Sequence, residues 1–283
     1  MNPSTAPASP EGIASIAFIG GGNMASALIG GLLRQGLRPS QIKVVEPFAD
    51  ARERLSTQFK VLAQASAGPQ LHGSDLVVWA VKPQTFREAA AQAAPYTAES
   101  LHLSVAAGIR SDSIARWLGS ERVVRCMPNT PALIGKGITG LFARPGVSAQ
   151  DRALAEQVLA PSGELIWVKD EPMLDAVTAL SGSGPAYVFY FIEAMMQAGQ
   201  DMGFDAQQAR QLAIATFSGA AALAQASEEP PSLLRERVTS KGGTTHAALT
   251  SMQADQVKSA LVRAMQAARK RAAEMGDEFG AAG

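Results

Sequence analysis

The chain holds a single cysteine, Cys126, which excludes an intrachain disulfide and suits a reducing compartment, so the cytoplasm is the expected location. Its three histidines, His72, His102 and His246, have no metal-ligand spacing, and no metal site is expected. Lysine and arginine together number 25 and so do aspartate and glutamate. Zero net charge without a long basic run removes the electrostatic signature of a nucleic-acid binder. No stretch is apolar for long enough to span a membrane. The opening MNPSTAPASPEG has neither a basic start nor an apolar centre, so residues 1–13 read as a disordered leader rather than a signal peptide. What remains is a chain of 283 residues, 47% hydrophobic, long enough for two ordinary domains and suited to small-molecule chemistry.

Short apolar runs alternate with helix-like stretches through the first half. IAFIG (16–20), IKVVE (42–46), DLVVWAV (75–81), LHLSVAA (101–107) and RVVRCM (122–127) read as strands of a parallel sheet. Helical stretches such as 24–34 and 86–94 give the βαβ rhythm, and the runs at 138–143 and 164–168 complete the sheet around a helix at 149–159. From Leu174 onward strand signals vanish and Ala-, Leu- and Gln-rich segments follow a helical period. The expected fold is therefore α/β: a Rossmann-type doubly wound domain at 14–169, then an all-helical domain at 170–283 whose small residues suit close packing against a second subunit.

Several segments carry chemistry. In FIGGGNMA, Gly20, Gly22 and Ala25 match the G-x-G-x-x-G/A fingerprint directly after a strand and at the opening of a helix. Such glycines let the backbone approach a pyrophosphate that the helix N-terminus stabilises. Glu46, at the end of the second strand, stands where an acid holds the ribose diol of NAD and repels the 2′-phosphate of NADP; Arg52 and Arg54 follow nearby and read either as a recovered phosphate contact or, more commonly, as a solvated helix face, so the choice of cofactor stays open. The loops AVKPQ (80–84), SVAAG (104–108) and RCMPNTPALIGKG (125–137) follow strands and fall at the carboxyl edge of the sheet, where cofactors bind.

A further segment, VTSKGGTTHAAL (238–249), places Gly242 and Gly243 before a helix starting near Thr244. Unpaired N–H groups and the positive dipole end there suit a small carboxylate, with the threonine hydroxyls adding hydrogen bonds; an ordinary N-cap after a glycine linker is the plainer alternative. In DAVTALSGSGPAYVF (175–189), Gly182, Gly184 and Pro185 break one helix and start another.

In order along the chain, FIGGGNM, AVKPQ, SVAAGI, RCMPNTPALIGKG, DAVTALSGSGPAYVF and VTSKGGTTHAAL resemble the pyrroline-5-carboxylate reductase family, the last enzymes of proline biosynthesis. The resemblance implies NAD(P)H-dependent reduction of a cyclic imine to L-proline, with NADPH or NADH as cofactor. It also implies a homodimer intertwined through the helical domain, and assembly of such dimers into a decamer.

The resemblance places the cofactor on Ile19, Gly20, Gly21, Gly22, Asn23 and Met24, on Ala80, Val81, Lys82 and Pro83, and on Val105, Ala106 and Ala107, with Glu46 and Asn129 beside it. The substrate falls to Glu171, Arg237, Gly243, Thr244 and Thr245, with Glu228 as a further candidate, in a cleft of the dimer; Thr245 is the expected catalytic residue. Four positions depart from the family pattern: Lys241 replaces a proline, His246 a small or apolar residue, Ala67 an asparagine at the adenosine ribose, and Glu46 a serine at the 2′-phosphate. Two other readings compete. A β-hydroxyacid dehydrogenase needs a lysine base on the helix after the interdomain glycines, and 185–202 contains none. A non-catalytic NAD(P)-sensing protein has no need of the GGTT turn.

Overall fold

The computed structural model describes residues 13–281, which form two compact units. One ends at Ser183 and resumes at Ala268; the other is Gly184–Ala267. Of the expected leader, residues 1–12 lie outside the described residues; Ile13 is 6% exposed and belongs to a core cluster.

The first unit is built on an eight-stranded sheet in the order β3-β2-β1-β4-β5-β6-β7-β8. Its strands are β1 (Ile16–Ile19), β2 (Ile42–Val45), β3 (Ala63–Gln64), β4 (Leu76–Trp79), β5 (Leu101–Ser104), β6 (Val123–Met127), β7 (Gly137–Ala143) and β8 (Gly163–Trp167). All neighbours are parallel except β6 and β7, which pair antiparallel with Cys126 opposite Leu141. Only a short 3-10 turn, Thr130–Ile134, joins those two, too little chain for the crossover a parallel pair requires.

Because side chains alternate across a strand, β1 feeds two cores. Ile16 and Phe18 face α1 (Asn23–Arg34), α2 (Ala49–Phe59) and α5 (Ala149–Leu159) through residues such as Leu28, Leu55 and Val158. Ala17 and Ile19 share the opposite core with Trp79 and with α3 (Pro83–Ala93) and α4 (Ser111–Leu118), through Phe86 and Ile114. A sheet covered on both faces explains the unbroken apolar runs.

By its contacts the first unit continues past the expected boundary at 169/170, to Ser183. The helix α6 (Met173–Val177) and the π-helical turn Thr178–Gly182 belong to the first unit, with Leu174 and Ala179 buried. A Cβ at Gly140 would stand 2.8 Å from Val177 Cγ1, so β7 and α6 touch where no larger side chain fits. The end of the last helix also returns to this unit. There Asp277 accepts two hydrogen bonds from the Arg110 guanidinium, at 3.2 and 2.8 Å, and Met275 lies against Gly108.

The second unit is helical, as its period predicts. It comprises α7 (Gly184–Asp201), α8 (Ala206–Gln225), α9 (Pro231–Arg237), α10 (Thr244–Ala254) and the first part of α11 (Val257–Ala281). Asp205 caps α8 in a reciprocal box with Gln208. A Cβ on Gly199 would lie 3.1 Å from that of Ala209, so small residues bring α7 and α8 close. Large apolar side chains nonetheless stay exposed, among them Phe189, Tyr190, Leu212 and Leu223. No helix among the described residues is long and apolar enough to cross a membrane.

Candidate functional site

The strand order reverses at β1, whose last residue Ile19 lies between Val45 of β2 and Trp79 of β4. Such a switch point opens a crevice at the carboxyl ends of the strands. Gly20 threads it. Its N–H donates to the Val45 carbonyl at 2.8 Å, its φ is +98°, and a Cβ there would stand 2.5 Å from the Ala80 carbonyl oxygen. Only glycine satisfies both demands.

Two residues on, Gly22 caps α1 without any side-chain hydrogen bond, and a Cβ on it would meet nothing within 4 Å. The first-turn amides of α1 are therefore uncapped beside open space, with Gly22 and Asn23 exposed and Ala25 buried beneath. A pyrophosphate fits this cradle. The other expected cofactor segments converge here. The Ala80 N–H donates to the Ile19 carbonyl and that of Val105 to the Trp79 carbonyl, which sets Ala80–Pro83 and Val105–Ala107 along the same sheet edge. Lys82 is the exposed N-cap of α3 and Pro83 its first residue.

Glu46 reaches the edge but turns inward. Its Oε2 accepts the Gly21 N–H at 2.7 Å, its Oε1 accepts the Phe48 N–H at 2.9 Å, and the residue is 6% exposed. Asn129 is likewise engaged by its own chain: its Oδ1 accepts the Ile138 N–H and its Nδ2 donates to the Ser181 carbonyl. That bond ties the loop after β6 to the π-helical turn.

Glu171, expected at the substrate, is held by its own chain. It belongs to the first unit, while Arg237, Thr244 and Thr245 belong to the second. Its two carboxylate oxygens accept from the Ser111 N–H and hydroxyl, both at 2.6 Å, and from Arg125 Nη1 at 2.5 Å. Arg144 donates to the same hydroxyl. Neighbouring Asp175 has its carboxyl pushed up chiefly by burial, against the pull of Arg110 and Arg125. Arg125 and Ser111 lay in segments whose local pattern says nothing about an ion pair, and sequence reasoning missed them.

In the second unit, Gly242 has a φ of +75° and the Gly243 N–H donates to the Ser240 carbonyl at 3.0 Å, closing the turn that launches α10. Gly243 is its N-cap, no side chain caps the helix, and Thr244 is its first residue. Thr245 is half-buried and its hydroxyl has no hydrogen-bond partner among the described residues; Lys241, Thr244 and His246 are exposed. Arg237 pairs at 2.5 Å with Glu229, the acid next to the expected Glu228. Adjacent acids on an exposed segment cannot be told apart by sequence. Among the described residues no three His, Cys, Asp or Glu side chains gather as a metal site.

Known proteins match both parts of this chain. The family model described as pyrroline-5-carboxylate reductase dimerisation matches residues 171–275, and the one described as NADP oxidoreductase coenzyme F420-dependent matches residues 15–108. A pyrroline-5-carboxylate reductase of Pseudomonas aeruginosa is 44% identical over 267 residues, covering 94% of this chain and 98% of that one. Among solved structures, a pyrroline-5-carboxylate reductase from Coxiella burnetii superposes with a TM-score of 0.87 at 35% identity, over 93% of this chain and 98% of that one. A Plasmodium falciparum pyrroline carboxylate reductase with NADP bound gives 0.84 at 28% identity, over 94% and 99%. Likeness of this degree along nearly the whole length places the chain in the pyrroline-5-carboxylate reductase family.

Proposed function

We propose that this chain reduces the cyclic imine L-1-pyrroline-5-carboxylate to L-proline with NADPH or NADH, as its relatives are named for doing. The observation that carries the reading is the cradle at Gly20 to Met24, uncapped and open in a chain of this family. A bound reduced dinucleotide supplies the hydride for the imine carbon. The first-turn amides of α1 hold its pyrophosphate, and the edge residues Ala80–Pro83 and Val105–Ala107 flank the remainder.

The GGTT turn takes the substrate. Uncapped amides at the start of α10 receive the carboxylate, and the unpartnered Thr245 hydroxyl hydrogen-bonds the ring nitrogen and orients it. Threonine is too weak an acid to give up its own proton, so the nitrogen gains one from solvent or arrives as the iminium. Arg237, tied to Glu229, adds positive charge from the end of α9. The exposed apolar side chains of α7 and α8 suit a second copy of the chain, so a homodimer, and a decamer built from such dimers, belong to the same reading. A cytoplasmic location fits the lone, buried Cys126.

The test is to mix the purified protein with NADPH or NADH and pyrroline-5-carboxylate and follow the nicotinamide absorbance. Oxidation that depends on the imine is expected; none with either dinucleotide would overturn the reading.

A further inference from the structure

Every polar atom of Glu46 is engaged by its own chain. The N–H donates to the Gln64 carbonyl at 2.8 Å, and the carbonyl accepts from Arg52 Nη1 at 2.9 Å. The same nitrogen of Arg52 also holds the Pro47 carbonyl at 2.7 Å. One carboxylate oxygen takes the Phe48 N–H and the other reaches across to β1 for the Gly21 N–H. A Cβ on Gly21 would stand 2.7 Å from Leu55 and 3.3 Å from the Glu46 side chain, so the turn lies directly on this carboxylate.

An acid that selects NADH by repelling a 2′-phosphate must present its charge to the ribose. This one is buried under the glycine turn, while the next residues of the turn, Gly22 and Asn23, are exposed and α1 has no side-chain cap. We propose that Glu46 is a positioning residue that braces the Gly20–Gly22 turn for the pyrophosphate, and that it does not set the choice between NADPH and NADH. The inference rests on the dinucleotide reading above.

The pair of variants Glu46→Gln and Glu46→Asp separates the two roles. Glutamine keeps the size, removes the charge and sets an NH2 against one of the two N–H donors. Aspartate keeps the charge but is too short to reach Gly21 while holding Phe48. Dissociation constants for NADPH and for NADH are read from nicotinamide fluorescence, and exchange of the Gly21 amide proton is read by NMR on the ligand-free protein. In both variants the affinity for both dinucleotides should fall roughly tenfold or more, the loss of a charge-assisted hydrogen bond. Their ratio should stay within about twofold of the parent's. Gly21 exchange should quicken in both. A ratio that swings towards NADPH in Glu46→Gln but not in Glu46→Asp overturns the proposal, as do unchanged affinities or an unchanged Gly21 exchange rate. Should the parent bind neither dinucleotide, the proposed function fails, and the exchange measurement still decides whether Glu46 braces the turn.

Discussion

The indole N–H of Trp79 donates to Nδ1 of His102 at 3.2 Å inside the sheet core, and Nε2 of that imidazole has no partner among the described residues. Nδ1 accepts, so the neutral ring carries its proton on Nε2, and a second proton would put an unpaired charge in the core. Burial, and after it the charge of Arg122, lowers the His102 pKa to about 4. The folded state thus resists protonation that the unfolded chain accepts near 6.5, and stability is complete above 6.5 and lost as pH falls towards 4. The full loss is about 3 kcal/mol. Urea midpoints at pH 7.5 and pH 4.5 check it: His102→Gln, which still offers the indole an acceptor, should lose less than the parent, and equal losses would remove His102 as the cause.

Glu171 is expected to matter more for folding than for substrate. Its partner Arg125 has a side chain only 8% exposed, and removing the acid would strand that charge. Glu171→Ala should cost about 3 kcal/mol in denaturant unfolding, at the low end for a broken buried pair because the acid retains some exposure. Turnover per folded molecule and KM for the imine should stay near the parent's. A large rise in that KM with unchanged stability would instead support the substrate role that the resemblance implies.

Gly20 and Gly22 should fail in different ways. Gly20→Ala drives a methyl into the Ala80 carbonyl at a positive φ, so it should destabilise the fold by about 1–3 kcal/mol and abolish dinucleotide binding together. Gly22→Ala meets nothing in the protein, so its melting temperature should hold while dinucleotide affinity falls, the added methyl facing the pyrophosphate. Calorimetry beside fluorescence titration distinguishes them, and undiminished binding in Gly22→Ala would displace the pyrophosphate from this cradle.

Much of this was legible in the sequence because it is local. The Val- and Ile-rich runs of β1, β2 and β4 announce a sheet covered on both faces, and GGTT announces a helix start that the structure puts at Thr244. What was not legible depends on direction or distance. Position alone puts Glu46 at a strand end and cannot say that its carboxylate turns under Gly21. The bond from Arg110 to Asp277 spans 167 residues and leaves no periodic trace, so the return of the last helix to the first unit had no signal. The two-residue β3 is shorter than any readable alternation, and the π-helical turn at Thr178–Gly182 has the composition of an ordinary helix break.

Thr245 carries the remaining prediction. Its hydroxyl has no partner among the described residues, so Thr245→Ala breaks no bond of the protein's own and leaves the α10 amides in place. Stability and dinucleotide affinity should therefore hold. If the hydroxyl holds the ring nitrogen as charge shifts there in the transition state, kcat should fall about a hundredfold, the scale of one preorganised donor. Thr245→Ser, which keeps the hydroxyl and loses only a methyl, should recover most of the rate. Steady-state kinetics with saturating dinucleotide and varied imine give the answer: unchanged turnover in Thr245→Ala, or a serine variant as slow as the alanine, would move catalysis away from this hydroxyl.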